Sequence, residues 1–416
     1  MKVIVAHNRY VSAHPSGENT VVAAEIDELT RAGVTVLPFL RDSDDIPTLP
    51  LTQRAALVVS PAYARRAQRE LRELLTMERP DLVHLHNPYP LLSPWVIRTA
   101  HAQGIPVVHT MHNYRQTCVN GLFYRPRSDV RTSWLRSSQA RVGNSLLTSG
   151  AQEGRLPDTD CRDCVGRVIG LPAVRHACYR GSRAQSAVMA ATLALHRRTW
   201  PTVDRVLVLT PAMATYARDI GIPDERIVVR PNAVADPGRH TESGDGLLLA
   251  GRLSAEKGVE LLLNAWDRHP DGALGRLRIA GDGPLANLVR ARAAGRQDIE
   301  YLGRLQPSDV AAAMRRSAVV VVPSTWDEVC PVVAIEALAN ARPVFGTDRG
   351  GLPWLVGDAG WTVPPTVDAL AAALPVAVAG AAGLAARARE SYEQRFTPRV
   401  STRSLLEVYR SLAPTG

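Results

Sequence analysis

Glu328 and Glu336, eight positions apart, are the side chains best placed to meet a ligand rich in hydroxyl groups. They bracket Val329-Cys330-Pro331-Val332-Val333-Ala334-Ile335. This stretch leaves the β-branched run Val319-Val320-Val321-Val322, of the kind a parallel strand buries on both faces, and enters a helical pattern from Val333 to Asn340. Glu328 therefore falls at the C-terminal end of a strand, and Glu336 sits about one turn into the next helix. A carboxylate in the crossing loop can accept bonds from sugar hydroxyls, and one on the helix can take both hydroxyls of a ribose. Ligands of open α/β sheets bind outside the carboxyl ends of the strands, where helix N-termini offer free amides to a phosphate.

A cationic turn with the same setting lies upstream. Leu247-Leu248-Leu249-Ala250 reads as a strand and Val259 to Trp266 as a helix, joined by Gly251-Arg252-Leu253-Ser254-Ala255-Glu256-Lys257-Gly258. Arg252 offers a planar fork to phosphate oxygens and Lys257 a point charge, while the two glycines let backbone approach closely. Only Lys2 and Lys257 are lysines in a chain otherwise biased to arginine.

Taken in order, several segments carry a family resemblance. They are Gly251-Arg252 with Glu256-Lys257-Gly258, Ala280-Gly281-Asp282-Gly283-Pro284, Leu302-Gly303, Pro323-Ser324, the paired glutamates and Gly350-Gly351. Across roughly residues 228 to 365 the chain resembles the retaining glycosyltransferases of family 4. The resemblance implies an α/β protein of two Rossmann-like doubly wound domains facing a cleft, the glycosyltransferase-B architecture. It implies a nucleoside-diphosphate sugar as donor, held by Arg252, Lys257, Val332 and Glu336. Gly17, in the loop Ser16-Gly17-Glu18-Asn19 after the first strand, matches the family's glycine loop near the donor phosphates or the acceptor. His112, just past the strand Val107 to Met111, matches a histidine that contacts the donor sugar, and Glu328 would hold sugar hydroxyls. Pro331 and Trp354 depart from the pattern, standing where relatives often carry glycine and glutamate.

The implied reaction is transfer with retention at the anomeric carbon to a glycan, lipid-linked or small-molecule acceptor. The departing diphosphate takes the acceptor's proton on the same face, and no catalytic divalent metal is expected. Asp42-Ser43-Asp44 and Asp158-Thr159-Asp160 have the Asp-X-Asp spacing of metal-dependent transferases but read as solvated loops.

The elements that must position these residues follow from length and periodicity. A chain of 416 residues with 45% apolar composition suits a globular α/β protein of two or three domains. In the first half Val3 to Ala6, Val34 to Phe39, Leu82 to His86, Val107 to Met111 and Val206 to Leu209 read as strands, with helices Thr20 to Arg31 and Ala62 to Met77 between them. We expect an N-terminal acceptor domain over 1–235 with an insertion at about 113–200, and a linker over 236–246. A donor domain over 247–395 and a C-terminal helix over 396–416 that crosses back complete the expected order, the crossing being implied by the family. His84, His86 and His109 lie within strands and read as hydrogen-bonded core or rim histidines. No apolar run reaching the ~20 residues of a membrane span is expected, which with a strand at the N-terminus places the protein in the cytoplasm.

The insertion holds the remaining chemistry. Cys118, Cys161, Cys164 and Cys178 fall in it, with Cys161-Arg162-Asp163-Cys164 as a C-x-x-C pair. In a reducing compartment this grouping suggests structural zinc, with an iron–sulfur cluster or unligated thiols as alternatives and His176 as a substitute ligand. Between residues 113 and 205 stand 15 arginines and six acids, a local charge of +9 equal to that of the whole chain. That basic stretch predicts an anionic partner, such as the inner membrane face carrying a lipid-linked acceptor, with the helix Arg183 to Trp200 lying on it or packing as an ordinary helix. Nucleic acid is disfavoured because no stacking aromatics accompany the arginines. Two other classes stay open at this point. A nucleotide-sugar epimerase of similar fold would need a further acid and base in the first domain. A non-catalytic, zinc-stabilised protein binding membrane or glycan would need none of the cleft residues.

Overall fold

The structure is a computed structural model, and it describes residues 1–12, 17–50, 57–125, 161–239 and 244–413. The chain divides into two compact units. One comprises the described residues of 1–123, 162–236 and 393–413, and the other those of 237–392 with Tyr124, Arg125 and Cys161.

Each unit is built on a six-stranded, wholly parallel sheet. In the N-terminal unit the strands are β1 (Lys2–Arg9), β2 (Thr35–Asp42), β3 (Leu82–Leu85), β4 (Val107–Met111), β5 (Arg205–Val208) and β6 (Ile227–Val229), in the order β2-β1-β3-β4-β5-β6. The C-terminal unit has β7 (Leu247–Ala250), β8 (Leu277–Ala280), β9 (Ile299–Gly303), β10 (Val319–Val322), β11 (Val344–Thr347) and β12 (Gly360–Val363), in the order β12-β11-β10-β7-β8-β9. In both sheets the order reverses once, between β1 and β3 and between β7 and β10, and at such a point the loops leaving two neighbouring strands part and open a crevice.

The central strands are buried on both faces, as β-branched runs in parallel sheets require: Val3 to Ala6, Val319 and Val320 are fully buried. The C-terminal core joins Leu247, Leu249, Leu262, Trp266, Ile279, Val321 and Phe345. The N-terminal core joins Val3, Val5, Val22, Leu82, Val108 and Leu207 to Leu405 and Tyr409 of the helix Pro398–Arg410. The helices at Gly17–Arg31, Arg65–Glu78 and Val332–Ala339 match the expected ones to within a few residues. β6 was not foreseen from the sequence, since Ile227-Val228-Val229 is too short to show periodicity.

One expectation changes and one open alternative narrows. Val367–Arg410 contains an 18-residue window of mean hydropathy 2.0, so one helical stretch is, by length and composition, apolar enough to cross a membrane. Short alanines, rather than a block of large apolar residues, carry that value, and Leu370, Leu374, Ala377 and Ala381 pack into the C-terminal core. The helix beginning at Arg183 ends at His196, and buries Met189, Ala190, Leu193 and His196 within its own unit. Its buried face is therefore occupied by protein.

Candidate functional site

Lys257 and Glu328 come together at the reversal point of the C-terminal sheet. The turn leaving β7 runs through Ala255–Lys257 into Gly258, whose φ of +70° lets the chain pass against the loop leaving β10. A Cβ at Gly258 would stand 1.7 Å from the carbonyl oxygen of Pro323, so only glycine permits that approach. The two loops are then joined by Thr325 N–H donating to Glu256 O at 2.9 Å. Across this junction Lys257 Nζ donates to Glu328 Oε1 at 2.7 Å and lies 5.1 Å from the ring centre of Trp326.

Glu328 is buried, 2% exposed, and also accepts from the Ser324 hydroxyl. Its backbone oxygen accepts from Gly351 N–H at 2.6 Å, which ties the loop after β11 into the same crevice. Gly350 stands so close to Glu328 that a Cβ there would fall 2.3 Å from its carbonyl oxygen. Beside β7, Gly281 presses on Gly251 in the same manner, with 1.8 Å from a Cβ to the Gly251 oxygen. The glycines thus bring the turns after β7, β8, β10 and β11 into backbone contact, and the polar side chains rise from that floor.

Arg252 is the exposed member of the site. It pairs with Glu256, which is itself buried and held by the Ser254 hydroxyl at 2.7 Å. The helix Val332–Ala339 starts at Val332, directly after Pro331, and no side chain caps its first amides. Uncapped amides and the positive end of a helix favour an anion. Glu336 is half-buried, and its carboxylate has no hydrogen-bond or ion-pair partner among the described residues. Burial alone raises its pKa. An unpaired, partly desolvated carboxylate is primed to accept bonds from hydroxyls.

The N-terminal sheet has its own crevice at the β1/β3 reversal. β1 and the chain after β3 are held together by Asn8 N–H to Asn87 O at 2.8 Å and His86 N–H to Ala6 O at 2.9 Å. An opening of about 230 Å³, its solvent-facing part included, is lined by Glu18, His86, Tyr89, His112, Arg115 and Gln116 among others. His112 Nε2 lies 2.9 Å from His86 Nδ1 with the rings stacked. Burial, reinforced by His86 and His7, holds His112 well below the ordinary histidine range, so it is neutral at pH 7. Burial likewise lowers His86 to about 4 and His109 to about 3.

Glu18, in the first turn of the helix from Gly17, accepts from Tyr10 Oη at 3.2 Å. Burial lifts its carboxyl to about 7 against the opposing pull of Arg115. The Tyr89 hydroxyl and Gln116 Oε1 are buried without hydrogen-bond partners among the described residues. The crevice is polar, partly unsatisfied and uncharged on its histidine side, which suits a hydroxylated ligand.

Of the residues singled out in the sequence, Lys257 and Glu328 are bonded across the reversal of the C-terminal sheet, Arg252 lies in the turn after β7, and Val332 and Glu336 lie on the helix that follows β10. Gly17 and His112 lie at the reversal point of the N-terminal unit. The histidines read as core residues, His84, His86 and His109, are buried and hydrogen-bonded. Glu25, Arg115 and Arg230 were not singled out. The available signal for Glu25 was a glutamate on the core-facing side of the helix Gly17–Arg31, between buried Val22 and Leu29.

Among the described residues, the one group of three ligand atoms within 4.8 Å of one another is Glu25, His84 and His86. Cys118 Sγ donates to Asn120 Oδ1 at 2.9 Å, and burial raises that thiol. Asp42 and Asp44 are engaged by Arg9 and by the Ser12 amide, and Asp158-Thr159-Asp160 lies outside the described residues.

Comparison with known proteins agrees with this architecture. Residues 16–233 match the family described as glycosyl transferase 4-like domain, more than half of the chain, and residues 244–378 match glycosyl transferases group 1. The chain is 29% identical over 285 residues to the D-inositol 3-phosphate glycosyltransferase of Pseudarthrobacter chlorophenolicus, covering 66% of this chain and 56% of that one. It is also 29% identical over 236 residues to the putative colanic acid biosynthesis glycosyltransferase WcaL of Escherichia coli, covering 50% of this chain and 57% of the relative. A third relative, an exopolysaccharide phosphotransferase of Streptomyces coelicolor, is matched over 24% of its length, so the chain spans about half or less of these curated relatives.

Among solved structures, Anabaena Alr3699/HepE in complex with UDP superposes with a TM-score of 0.62 at 15% identity, over 99% of this chain and 100% of that one. Sucrose-phosphate synthase from Thermosynechococcus elongatus gives a TM-score of 0.64 at 20% identity, over 99% and 98%. With a parallel Rossmann-like sheet in each unit, the architecture is glycosyltransferase-B.

Proposed function

The chain belongs to the glycosyltransferases that carry the 4-like domain, and from this premise we propose that it moves a sugar from a nucleoside-diphosphate sugar to an acceptor hydroxyl with retention at the anomeric carbon. The observation that supports the proposal is the Lys257–Glu328 ion pair across the reversal point of the C-terminal sheet, with the helix that carries Glu336 beginning at Val332 after β10. Cations, free amides and two carboxylates in one crevice match a ligand with both phosphates and hydroxyls. Relatives support the donor class, since Anabaena HepE was solved with UDP and with UDP-glucose.

In this reading Glu336 takes the ribose hydroxyls, Arg252 and Lys257 neutralise the diphosphate, and Glu328 holds hydroxyls of the transferred sugar. The bond from the anomeric carbon to the diphosphate oxygen breaks as the bond to the acceptor oxygen forms on the same face. The acceptor's proton passes to the departing diphosphate, so no protein nucleophile is required. Charge accumulates on the leaving group, where preorganised cations contribute several kcal/mol to the barrier. The N-terminal crevice with His112 and Gly17 is assigned to hydroxylated groups of the substrates. The acceptor is a glycan, a lipid-linked sugar or a small polyol, in keeping with relatives that act on inositol phosphate or belong to colanic acid biosynthesis.

The test is thermal stability against a panel of nucleoside diphosphates and their sugars, with Arg252→Ala and Glu336→Ala alongside. A ligand that binds only the native state raises the melting temperature by mass action. We expect one nucleotide to shift the wild type and to shift both variants less. The anomeric configuration of product made from that donor, read by proton NMR, then reports retention. No shift with any nucleotide refutes the donor assignment, and conversion of the donor sugar without an acceptor identifies an epimerase.

A further inference from the structure

Beneath the N-terminal crevice, Glu25 joins His86 and through it His112. Arg230 Nη1 donates to Glu25 Oε2 at 2.6 Å, and Arg230 Nε donates to the Ser401 carbonyl at 3.1 Å. Both ion-pair residues are buried, each 7% exposed. Glu25 Oε1 lies 3.2 Å from His84 Nδ1 and 3.2 Å from His86 Nε2. His86 Nδ1 is 2.9 Å from His112 Nε2. His84 ends its branch inside the protein, with Nδ1 2.7 Å from the Tyr409 hydroxyl and Nε2 2.7 Å from Thr110 Oγ1. The other branch, through His86, leads out to the crevice.

We propose that Glu25 and His86 are positioning residues that fix the tautomer of His112, leaving its Nδ1 as the hydrogen-bond acceptor for a substrate hydroxyl. The identity of that substrate rests on the glycosyl-transfer reading; the tautomer does not.

The proton positions follow outward from the ion pair. A carboxylate bound to a guanidinium is an acceptor only. Glu25 Oε1 and His86 Nε2 lie 3.2 Å apart, neither making a well-aligned hydrogen bond among the described residues, and the proton sits on this nitrogen because the alternative sets a lone pair against a negative oxygen in a buried site. Neutral imidazole has one donor and one acceptor, so His86 Nδ1 accepts, and His112 Nε2, 2.9 Å away, must be the N–H that it accepts from. His112 is neutral as well, and its Nδ1 is left with a lone pair. A sugar hydroxyl must then donate to His112. A metal ion is a poorer occupant of the Glu25, His84 and His86 group: Arg230 already neutralises the carboxylate and places a cation beside it, and both nitrogens of His84 are engaged by hydroxyls.

The measurement is nitrogen NMR of the imidazole side chains in the full chain at pH 7, with the His112 signals assigned by their loss in His112→Gln. We expect wild-type His112 in the Nε2–H form. His86→Phe removes the acceptor and should move a large part of the population to the Nδ1–H form. His86→Asn can set an amide oxygen where Nδ1 stood and should restore the Nε2–H form. Glu25→Gln, which weakens the ordering of His86, should give a mixture. Where transfer is assayed, His86→Phe should lower kcat about tenfold, the loss of roughly one hydrogen bond, with the KM for the nucleotide sugar little changed, and His86→Asn should recover most of it. An Nδ1–H or doubly protonated His112 in the wild type, or the same tautomer in His86→Phe, overturns the proposal. Failure of the chain to transfer any sugar would refute the functional reading while leaving the NMR result to judge the relay.

Discussion

Replacing Lys257 by methionine separates the structural and ligand-binding roles of one ammonium group. In the absence of ligand Lys257 Nζ donates to Glu328 at 2.7 Å, and Glu328 is 2% exposed with the Ser324 hydroxyl as its other partner. Stranding a buried carboxylate costs ~3 to 5 kcal/mol when nothing compensates. Here the serine bond survives and the lysine side chain is 31% exposed, so we expect Lys257→Met to cost about 2 kcal/mol. In a unit of this size that lowers its melting temperature by about 4 to 8 °C. Glu328→Gln leaves a lysine that water can solvate and should cost about 1 kcal/mol or less, and the double variant should be more stable than the sum of the two losses implies.

Binding should split differently. If Lys257 meets the diphosphate, its removal deletes a charge-assisted hydrogen bond of ~1.5 to 3 kcal/mol, a loss of about 10- to 150-fold in nucleoside diphosphate affinity by calorimetry. Glu328→Gln frees Lys257 from its partner, so nucleoside diphosphate affinity should stay level or improve while sugar transfer falls. Wild-type affinity in Lys257→Met, or equal losses in the two variants, would refute the division of roles.

Three further outcomes follow from the same geometry. Gly258→Ala forces a Cβ to within 1.7 Å of the Pro323 oxygen at a φ of +70°, and should lower the unfolding free energy of the C-terminal unit, read by urea denaturation, by ~3 kcal/mol or prevent its folding; a loss under ~1 kcal/mol would show that the loops can part. Glu336→Gln removes a carboxylate whose pKa burial raises, so it should leave stability unchanged or higher above pH 5 while weakening nucleotide binding at least tenfold, and a destabilised variant would reveal a hidden partner for Glu336. His7, His86 and His109 fall to about 3, 4 and 3 in the folded chain, so between those values and 6.5 the unfolded chain binds more protons and the N-terminal unit loses stability as pH falls. Glu18, raised to about 7, acts in the opposite sense between 4.5 and 7, but His112 and His196, both lowered by burial, add to the histidine side, so the net effect of acidification is a loss; hydrogen-exchange protection of β1, β3 and β4 that does not fall from pH 6.5 to pH 5 would contradict it.

Much of the C-terminal reversal point was legible because its chemistry is local. Strand, glycine turn and helix follow one another within a few residues at Leu247 to Trp266 and again at Val319 to Ala339, and a parallel sheet must deliver both turns to the same edge. Arg252, Lys257, Glu328 and Glu336 could therefore be placed by pattern, and Gly258 by its need for a close approach. What pattern could not supply was that Lys257 and Glu328, 71 positions apart, are bonded to each other, because the pairing depends on β7 and β10 being neighbours across the reversal of strand order.

Spacing in sequence could not foretell that Cys118 sits in a turn where its thiol donates to Asn120, because that contact depends on the local turn geometry. The sequence by itself determined the two Rossmann-like halves and the acids and bases at their strand ends, since these follow from periodicities of two and 3.6 and from glycine's lack of a Cβ. Tertiary structure alone decided the ionisation and orientation of His112. That state depends on Glu25, Arg230 and the C-terminal helix with Tyr409, brought together from positions up to 384 apart, and only burial in a shared core makes a carboxylate and three imidazoles share their protons.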